Sequence, residues 1–250
     1  MISFIFSPTG GTKRVAEALT AGHDAVQTVD LVSPREQGAW RLSQNDIAIL
    51  AVPSYGGRVP RLAAEKMRRI QANQAQCILV CVYGNRAYDD TLAELEDIAR
   101  SCGFRVVAAV AAIAEHSIVR QIAQGRPDSQ DIEELQLFAK KIEAKLGEEA
   151  PQAELSLPGS RPYKQGGGGG MAPETSEACT ACGLCARQCP AGAIDRERPE
   201  NIDAAQCISC MHCIAVCPQG AKALNPAMLS AVAEKLGPLC AGRKANELFL

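Results

Sequence analysis

Cysteine spacing is the feature that most limits what this chain can fold into. Residues 179–195 read CTACGLCARQCPAGAID, and the same spacing of Cys-x2-Cys-x2-Cys-x3-Cys-Pro returns at Cys207 as CISCMHCIAVCP. Eight of the 12 cysteines lie between residues 179 and 217. In a reducing compartment, cysteines clustered in this way are more often metal ligands than disulfide partners. The repeat therefore indicates two related metal sites.

This spacing is the one that bacterial proteins use to hold pairs of 4Fe-4S clusters, where the fourth cysteine of each run ligates the other cluster. The first predicted set is Cys179, Cys182, Cys185 and Cys217, and the second is Cys207, Cys210, Cys213 and Cys189. Zinc is the alternative, but zinc ribbons pair two C-x2-C units across a long gap. Residues 176–222 resemble the two-cluster bacterial ferredoxins, which implies a small α+β domain.

Upstream of the cysteines, apolar runs alternate with amphipathic stretches. The predicted strands are 2–6, 26–31, 46–52, 76–82 and 104–113, and the predicted helices are 13–21, 60–71, 89–102 and 128–146. Nearly continuous apolar runs are typical of strands buried on both faces. Five such strands with helices between them predict an α/β, doubly wound parallel sheet, which binds ligands beyond the carboxyl ends of its strands.

The loop after the first predicted strand has the composition of a phosphate site. It reads SPTGGT over residues 7–12 and joins an apolar strand to a helix. Hydroxyl groups, glycines and the free amides of a helix start favour a phosphate dianion. The loop lacks both the Gly-Lys-Ser/Thr order of a nucleotide triphosphatase and the G-x-G-x-x-G spacing of a dinucleotide site.

This loop, PSYGGRVP (53–60) and YGNRAYDDTL (83–92) together resemble the three FMN-binding loops of flavodoxins. The resemblance implies a flavodoxin-like five-stranded sheet that binds FMN. Its phosphate would be held by Ser7, Thr9, Gly10, Gly11 and Thr12. Tyr55 and Tyr88 would stack on the ring and Gly56 or Gly57 would face flavin N5, with Ser54, Tyr83, Gly84 and Asn85 completing the site. His116, in AEHS (114–117), is a candidate catalytic residue near the same sheet end.

Composition divides the chain into predicted domains. They are a flavodoxin-like domain (1–149), a flexible Pro/Gly-rich linker (150–175) with five consecutive glycines, a ferredoxin domain (176–224), and a C-terminal helix and tail (225–250). The segment PGSRPYK (158–164) is expected to pack on the first domain.

Charge and hydropathy exclude several partners. The net charge of −2 provides no basic field for nucleic acid. No 18-residue apolar span and no signal-peptide pattern are present, so we expect no membrane insertion and a cytoplasmic location.

Nearly the whole chain resembles the flavodoxin-ferredoxin fusion proteins of anaerobic bacteria. The resemblance implies an electron-transfer protein that carries FMN and two 4Fe-4S clusters and serves a redox partner protein or a small-molecule electron acceptor. The alternative is an FMN-dependent reductase acting on an organic substrate, a quinone or a nicotinamide. The long linker is also compatible with a homodimer.

Overall fold

Five parallel strands form the centre of the first domain in the computed structural model, which describes residues 1–35, 38–148, 155–166 and 169–250. The strands are β1 (Ile2–Ile5), β2 (Gln27–Asp30), β3 (Ile47–Pro53), β4 (Gln76–Tyr83) and β5 (Arg105–Ile113). Their order, β2-β1-β3-β4-β5, is that of a flavodoxin-like doubly wound sheet, and it confirms the predicted fold class. The order reverses between β1 and β3, so the ligand site of this topology lies at the carboxyl ends of those two strands.

Four helices cover the two faces of the sheet. They are α1 (Gly11–Thr20), α2 (Arg61–Met67), α3 (Thr91–Ser101) and α4 (Ser129–Leu146). Residues of α1 and α4 share one buried cluster with the sheet, and residues of α2 and α3 share the other. The central strands are buried on both sides, which explains their nearly continuous apolar sequences.

A sixth strand, which the sequence did not predict, closes one edge of the sheet. β8 (Glu247–Phe249) pairs antiparallel with β5, and Val110 lies opposite Leu248. The C-terminal segment is also held by a buried ion pair, because Arg126 and Asp131 bind each other and Asn246 donates to Asp131 Oδ1 at 3.1 Å. The end of the segment predicted as helix and tail is thus part of the first domain's sheet.

The second domain is small and contains two short antiparallel strands, β6 (Glu174–Thr175) and β7 (Lys222–Ala223). Its helices are α5 (Leu184–Gln188) and α6 (His212–Ala215), and it is followed by α7 (Pro226–Leu236) and a 3-10 turn (Gly237–Cys240). Lys222 is buried and donates to Thr175 Oγ1 at 2.6 Å, which ties the two strands together. No helix within the described ranges has both the length and the apolar character needed to cross a membrane.

The linker is held against the first domain over residues 155–166. Asp90 accepts the backbone N–H groups of Ser160 at 2.8 Å and Lys164 at 2.6 Å. The Arg161 guanidinium donates to Asp97, and Arg58 stacks 4.7 Å from the centre of the Tyr163 ring. The expected packing of PGSRPYK on the first domain is therefore present in the structure. Residues 149–154 and 167–168, which include two of the five glycines, lie outside the described residues.

Candidate functional site

The loop between β1 and α1 has the geometry of an anion site. Gly10 has a φ of +91° and caps the helix, and Ser7 Oγ accepts the Lys13 N–H at 2.9 Å. The first amides of a helix have no partners within it and carry partial positive charge. Gly11 must be small here, because a Cβ on it would lie 2.9 Å from Ala114 Cβ. The loop therefore offers hydroxyl and amide donors within a backbone turn that requires glycine.

A cavity of about 60 Å³ lies beside this loop at the end of the sheet. Nine of the residues predicted for the flavin site line it: Ser7, Thr9, Gly11, Thr12, Ser54, Tyr55, Tyr83, Gly84 and His116. This volume is enough for a few water molecules or a small anion such as a phosphate group. Wider openings of about 370 Å³ and 550 Å³ adjoin it on the Tyr55 side and on the Thr9 side. The donor set and the cavity thus fit the phosphate end of FMN, and the ring would extend into the adjoining space.

The loop after β3 makes a tight turn at the same edge. The backbone N–H of Tyr55 donates to Arg58 O at 3.0 Å, and the N–H of Arg58 donates to Tyr55 O at 3.2 Å. Gly56 and Gly57, at φ +61° and +85°, are the two central residues, as a type I′ turn requires. Burial raises the pKa of the Tyr55 phenol well above its usual range, and the nearby charge of a Cys210 thiolate adds to the effect.

Asn85 and Tyr88, two residues predicted to contact flavin, bind the C-terminal segment instead. Asn85 Nδ2 donates to the carbonyls of Cys240 at 2.7 Å and Gly242 at 2.8 Å. The Tyr88 ring packs edge-on against Tyr83 in the core, and its hydroxyl donates to the Glu247 carboxylate at 3.0 Å. These partners lie more than 150 residues away in the chain, so the local motif could not indicate them.

His116 lies in the cavity wall with a defined protonation pattern. Its Nδ1 accepts the backbone N–H groups of Ile118 at 3.2 Å and Val119 at 3.1 Å, so the proton of the neutral ring resides on Nε2. Burial lowers its pKa below the ordinary value. The ring also lies against Gly84, where a Cβ would be 2.4 Å from His116 Cδ2. The structure thus places this predicted candidate as a neutral hydrogen-bond donor beside the phosphate loop.

The two cysteine-bearing loops repeat each other in backbone conformation. Ala181 and Gly183 flank Cys182 with positive φ, at +53° and +70°. Ser209 and Met211 flank the corresponding cysteine of the second loop, also with positive φ, at +53° and +60°. L-residues other than glycine seldom adopt this conformation, so its recurrence at matching positions is a specific feature. In each loop a short helix follows, α5 in the first and α6 in the second.

The thiols of the second predicted ligand set lie near one another. Burial raises the pKa of Cys210 to about 12, and the charges of Cys213, Cys189 and Cys207 raise it further. The pKa of Cys213 is raised to about 11 by burial and then by Cys207 and Cys189. Cys189 thus acts on two thiols of the second set, although it belongs to the first run, and Cys185 of the first set also raises the pKa of Cys213. The division of the eight cysteines into two ligand sets stays a prediction.

In the first predicted set, burial raises the pKa of Cys185, and the charge of Cys217 adds a smaller effect. The Sγ atom of Cys217 accepts the Ala221 N–H at 3.3 Å. Across the described ranges, no three His, Cys, Asp or Glu side chains are close enough to share a single metal ion. Thiolates on one ion would lie within about 4 Å of each other, whereas the atoms of a cubane separate its four ligands more widely.

The second cysteine loop packs directly on the candidate flavin site. The Nδ1 atom of His212 lies 2.7 Å from Pro8 O in the phosphate loop. Because a carbonyl oxygen only accepts hydrogen bonds, Nδ1 carries the proton and donates it. Ile208 packs against the core of the first domain and lines the opening beside Tyr55. The cysteine motif contains no signal for this contact, because His212 occupies one of its variable positions.

Comparison with known proteins adds a domain assignment. Residues 178–222 match the family described as the 4Fe-4S dicluster domain. No curated protein matches the chain. Among solved structures, it is similar to oxidised flavodoxin 1 of Bacillus cereus, with 17% identity over 57% of this chain and 96% of that one and a TM-score of 0.40. It is also similar to Fusobacterium nucleatum flavodoxin bound to flavin mononucleotide, with 15% identity, coverage of 58% and 97%, and a TM-score of 0.41.

Strand order and the matched segment describe the two parts of the chain. The first domain has the flavodoxin-like order of parallel strands, and residues 178–222 match the 4Fe-4S dicluster family. The C-terminal segment returns from the second domain to complete the first domain's sheet.

Proposed function

We propose that this chain transfers low-potential electrons between two 4Fe-4S clusters and an FMN, and so couples one-electron to two-electron carriers. The observation that carries the proposal is the packing of the second cysteine loop on the phosphate loop, through His212 and Pro8. Clusters pass electrons singly, whereas bound FMN supplies the capacity to take one or two. A contact between the two cofactor-binding loops within one chain is what such coupling needs.

The residues proposed to hold FMN are those that the resemblance to flavodoxins implies, and most of them line the cavity at the sheet edge. Ser7, Thr9, Gly10, Gly11 and Thr12 would bind the phosphate, and Ser54, Tyr55, Gly56, Gly57, Tyr83 and Gly84 would border the ring. Asn85 and Tyr88 are left out because the C-terminal segment occupies their polar groups. The eight cysteines of the two runs would hold the clusters in the two sets given above.

The proposal includes an external donor or acceptor, either a redox partner protein or a small molecule. A homodimer is not needed to bring a cluster site to the flavin site, because the contact already exists within one chain. A cytoplasmic location agrees with the need for reduced thiols.

A second candidate function is an FMN-dependent reductase. It is favoured by His116, which lines the cavity with a ring proton on Nε2 available for donation. The opening beside Tyr55 is also lined by Arg58, Arg61 and Arg68. Arg58 is paired with Glu94 and Arg61 with Glu65, so Arg68 is the residue proposed to meet an anionic substrate.

An anaerobic redox titration of the purified, reconstituted chain tests both candidates. We expect about one FMN and about eight iron atoms per chain. For a carrier, flavin absorbance should change in two steps, each with a one-electron Nernst slope. A single step with a two-electron slope would favour the reductase. A chain that keeps its iron but binds no flavin would overturn both.

A further inference from the structure

We infer that the cluster held by Cys189, Cys207, Cys210 and Cys213 is the one that exchanges electrons with the flavin site, and that His212 positions it there. This inference rests on the proposed function. It makes the two cluster sites unequal, although their sequences repeat. One site is internal and faces the flavin, and the other is the route to an external partner.

The first observation is the hydrogen bond from the second cysteine loop to the phosphate loop. His212 lies between two cysteines of the second set, and its Nδ1 donates to Pro8 O at 2.7 Å. Pro8 is buried, and its carbonyl belongs to the same turn that presents the donors for phosphate. The bond therefore connects a cluster-binding loop to the flavin-binding loop through one side chain.

Apolar contacts secure the same loop on both sides of this bond. Ile208 packs against the core of the first domain on the Tyr55 side. Met211, only 3% exposed, lines the opening on the other side together with Gly10. A loop held at three points has little freedom to separate from the first domain, so the distance between the two sites is set by the fold.

The first cysteine loop has none of these contacts. Leu184 occupies the position equivalent to His212, because each follows the positive-φ residue and precedes the third cysteine of its run. Cys182 is exposed. Within the part of the chain that the structure describes, no hydrogen bond joins residues 176–189 to residues 1–148. The site of Cys179, Cys182, Cys185 and Cys217 is thus the one open to an external partner.

The electron balance is simple under this arrangement. An external one-electron donor would reduce the cluster held by Cys179, Cys182, Cys185 and Cys217. That electron would pass to the cluster held by Cys189, Cys207, Cys210 and Cys213 and then to the flavin, and each cluster would return to its oxidised state. Two such passages and two protons from water account for complete reduction of one flavin, and the reverse sequence delivers electrons outward.

Substitution of His212 tests the inference in the full-length chain. His212→Leu copies the residue of the first loop, and His212→Asn restores an N–H donor at a similar distance. Leu184→Ala is the matched control. Hydrogen exchange of residues 7–12, measured on protein prepared without flavin, reports the contact itself. Stopped flow on the loaded protein measures the rate of flavin reduction after the clusters are reduced by dithionite. This rate reports the redox role of the contact.

We expect His212→Leu to speed amide exchange in the phosphate loop roughly two- to tenfold, the range for loss of one hydrogen bond, and to slow flavin reduction by a similar factor. His212→Asn should recover most of both effects, and Leu184→Ala should change neither. Unchanged exchange and rate in His212→Leu, or an equal slowing in Leu184→Ala, would overturn the inference. If no variant binds flavin, the exchange data still test the contact, while the proposed function itself fails.

Discussion

Single residues at the sheet edge show how closely its loops approach each other. Gly84 directly follows β4 and lies against the ring of His116, and Gly11 begins α1 and lies against Ala114. Neither position leaves space for a side chain. Both glycines are therefore required by neighbouring loops, and this requirement is separate from any ligand.

A methyl group at position 84 should distort the site. In Gly84→Ala the new Cβ would lie 2.4 Å from His116 Cδ2, so the ring must move away from the amides of Ile118 and Val119. We expect a loss of about 1–3 kcal/mol in the free energy of unfolding, as for other overpacked sites, and lower flavin content. Denaturant titration gives the first value and absorbance gives the second.

Gly22→Ala is the control for this substitution. Nothing lies within 4 Å of a Cβ placed on Gly22. Its stability should stay the same or rise by about 0.4–1 kcal/mol, because alanine restricts the unfolded chain. If the two variants were equally stable, the loop after β5 would have to move to make room for the methyl group at position 84.

At the scale of elements, β8 is a sixth strand that pairs with β5, the last of the five parallel strands of the first domain. It covers the edge of β5, which would otherwise expose unpaired backbone groups. Asn246, just before it, donates to Asp131 at 3.1 Å and Glu134 at 2.6 Å and accepts the Ile113 N–H at 3.0 Å. The strand thus joins β5 to the start of α4.

Removal of residues 245–250 should destabilise the first domain. It would delete the three hydrogen bonds of Asn246 and leave the buried Asp131 carboxylate with fewer partners. We expect a loss of more than about 2 kcal/mol in the free energy of unfolding, and faster aggregation through the exposed β5 edge. Deletion of Leu250 alone, which is 48% exposed, is the control and should have little effect. Similar unfolding curves for the two truncations would contradict this role for β8.

At the scale of the whole molecule, two attachments hold the ferredoxin domain to the flavodoxin-like domain. The linker is bound by the carboxylates of Asp90, just before α3, and Asp97, within α3. The C-terminal segment is bound by Asn85 and the Arg126–Asp131 pair. The segments before and after the cluster domain are therefore both anchored on the first domain. This arrangement limits its movement over the flavin site.

Acid should release the linker. Backbone N–H groups of Lys164 and Ser160 lower the pKa of Asp90, and Arg161 lowers the pKa of Asp97. A carboxyl whose pKa is lower when docked stabilises docking above its free pKa, near 4, and that stabilisation is lost as pH falls through the docked value. We expect cleavage of the linker within residues 155–166 by a protease active in acid to accelerate below about pH 4.

Asp90→Ala should produce the same release at neutral pH, because the two backbone N–H groups lose their acceptor. Limited trypsin digestion at neutral pH measures this release of the linker. Asp24→Ala, at an exposed position, is the control. Linker cleavage as slow in Asp90→Ala as in the control would contradict the proposed anchoring.

The sequence by itself determined the features that depend on residues close together in the chain. Apolar periodicity predicted all five parallel strands and the four helices of the first domain, and cysteine spacing predicted the dicluster domain. Spacing also predicts that Cys189 joins the second set, and that assignment stays a prediction. Composition predicted the SPTGGT loop between a strand and a helix, where the structure has it, because glycine and hydroxyl residues act on their immediate neighbours.

Only the tertiary structure decided which distant segments meet. Asn85 and Tyr88 lie in a loop with the expected sequence, yet their polar groups bind a segment more than 150 residues away. β8 is three residues long and has too little periodicity to be recognised. His212 contacts Pro8 across 204 positions. Such contacts depend on the packing of whole domains, which no pattern within a short window of sequence encodes.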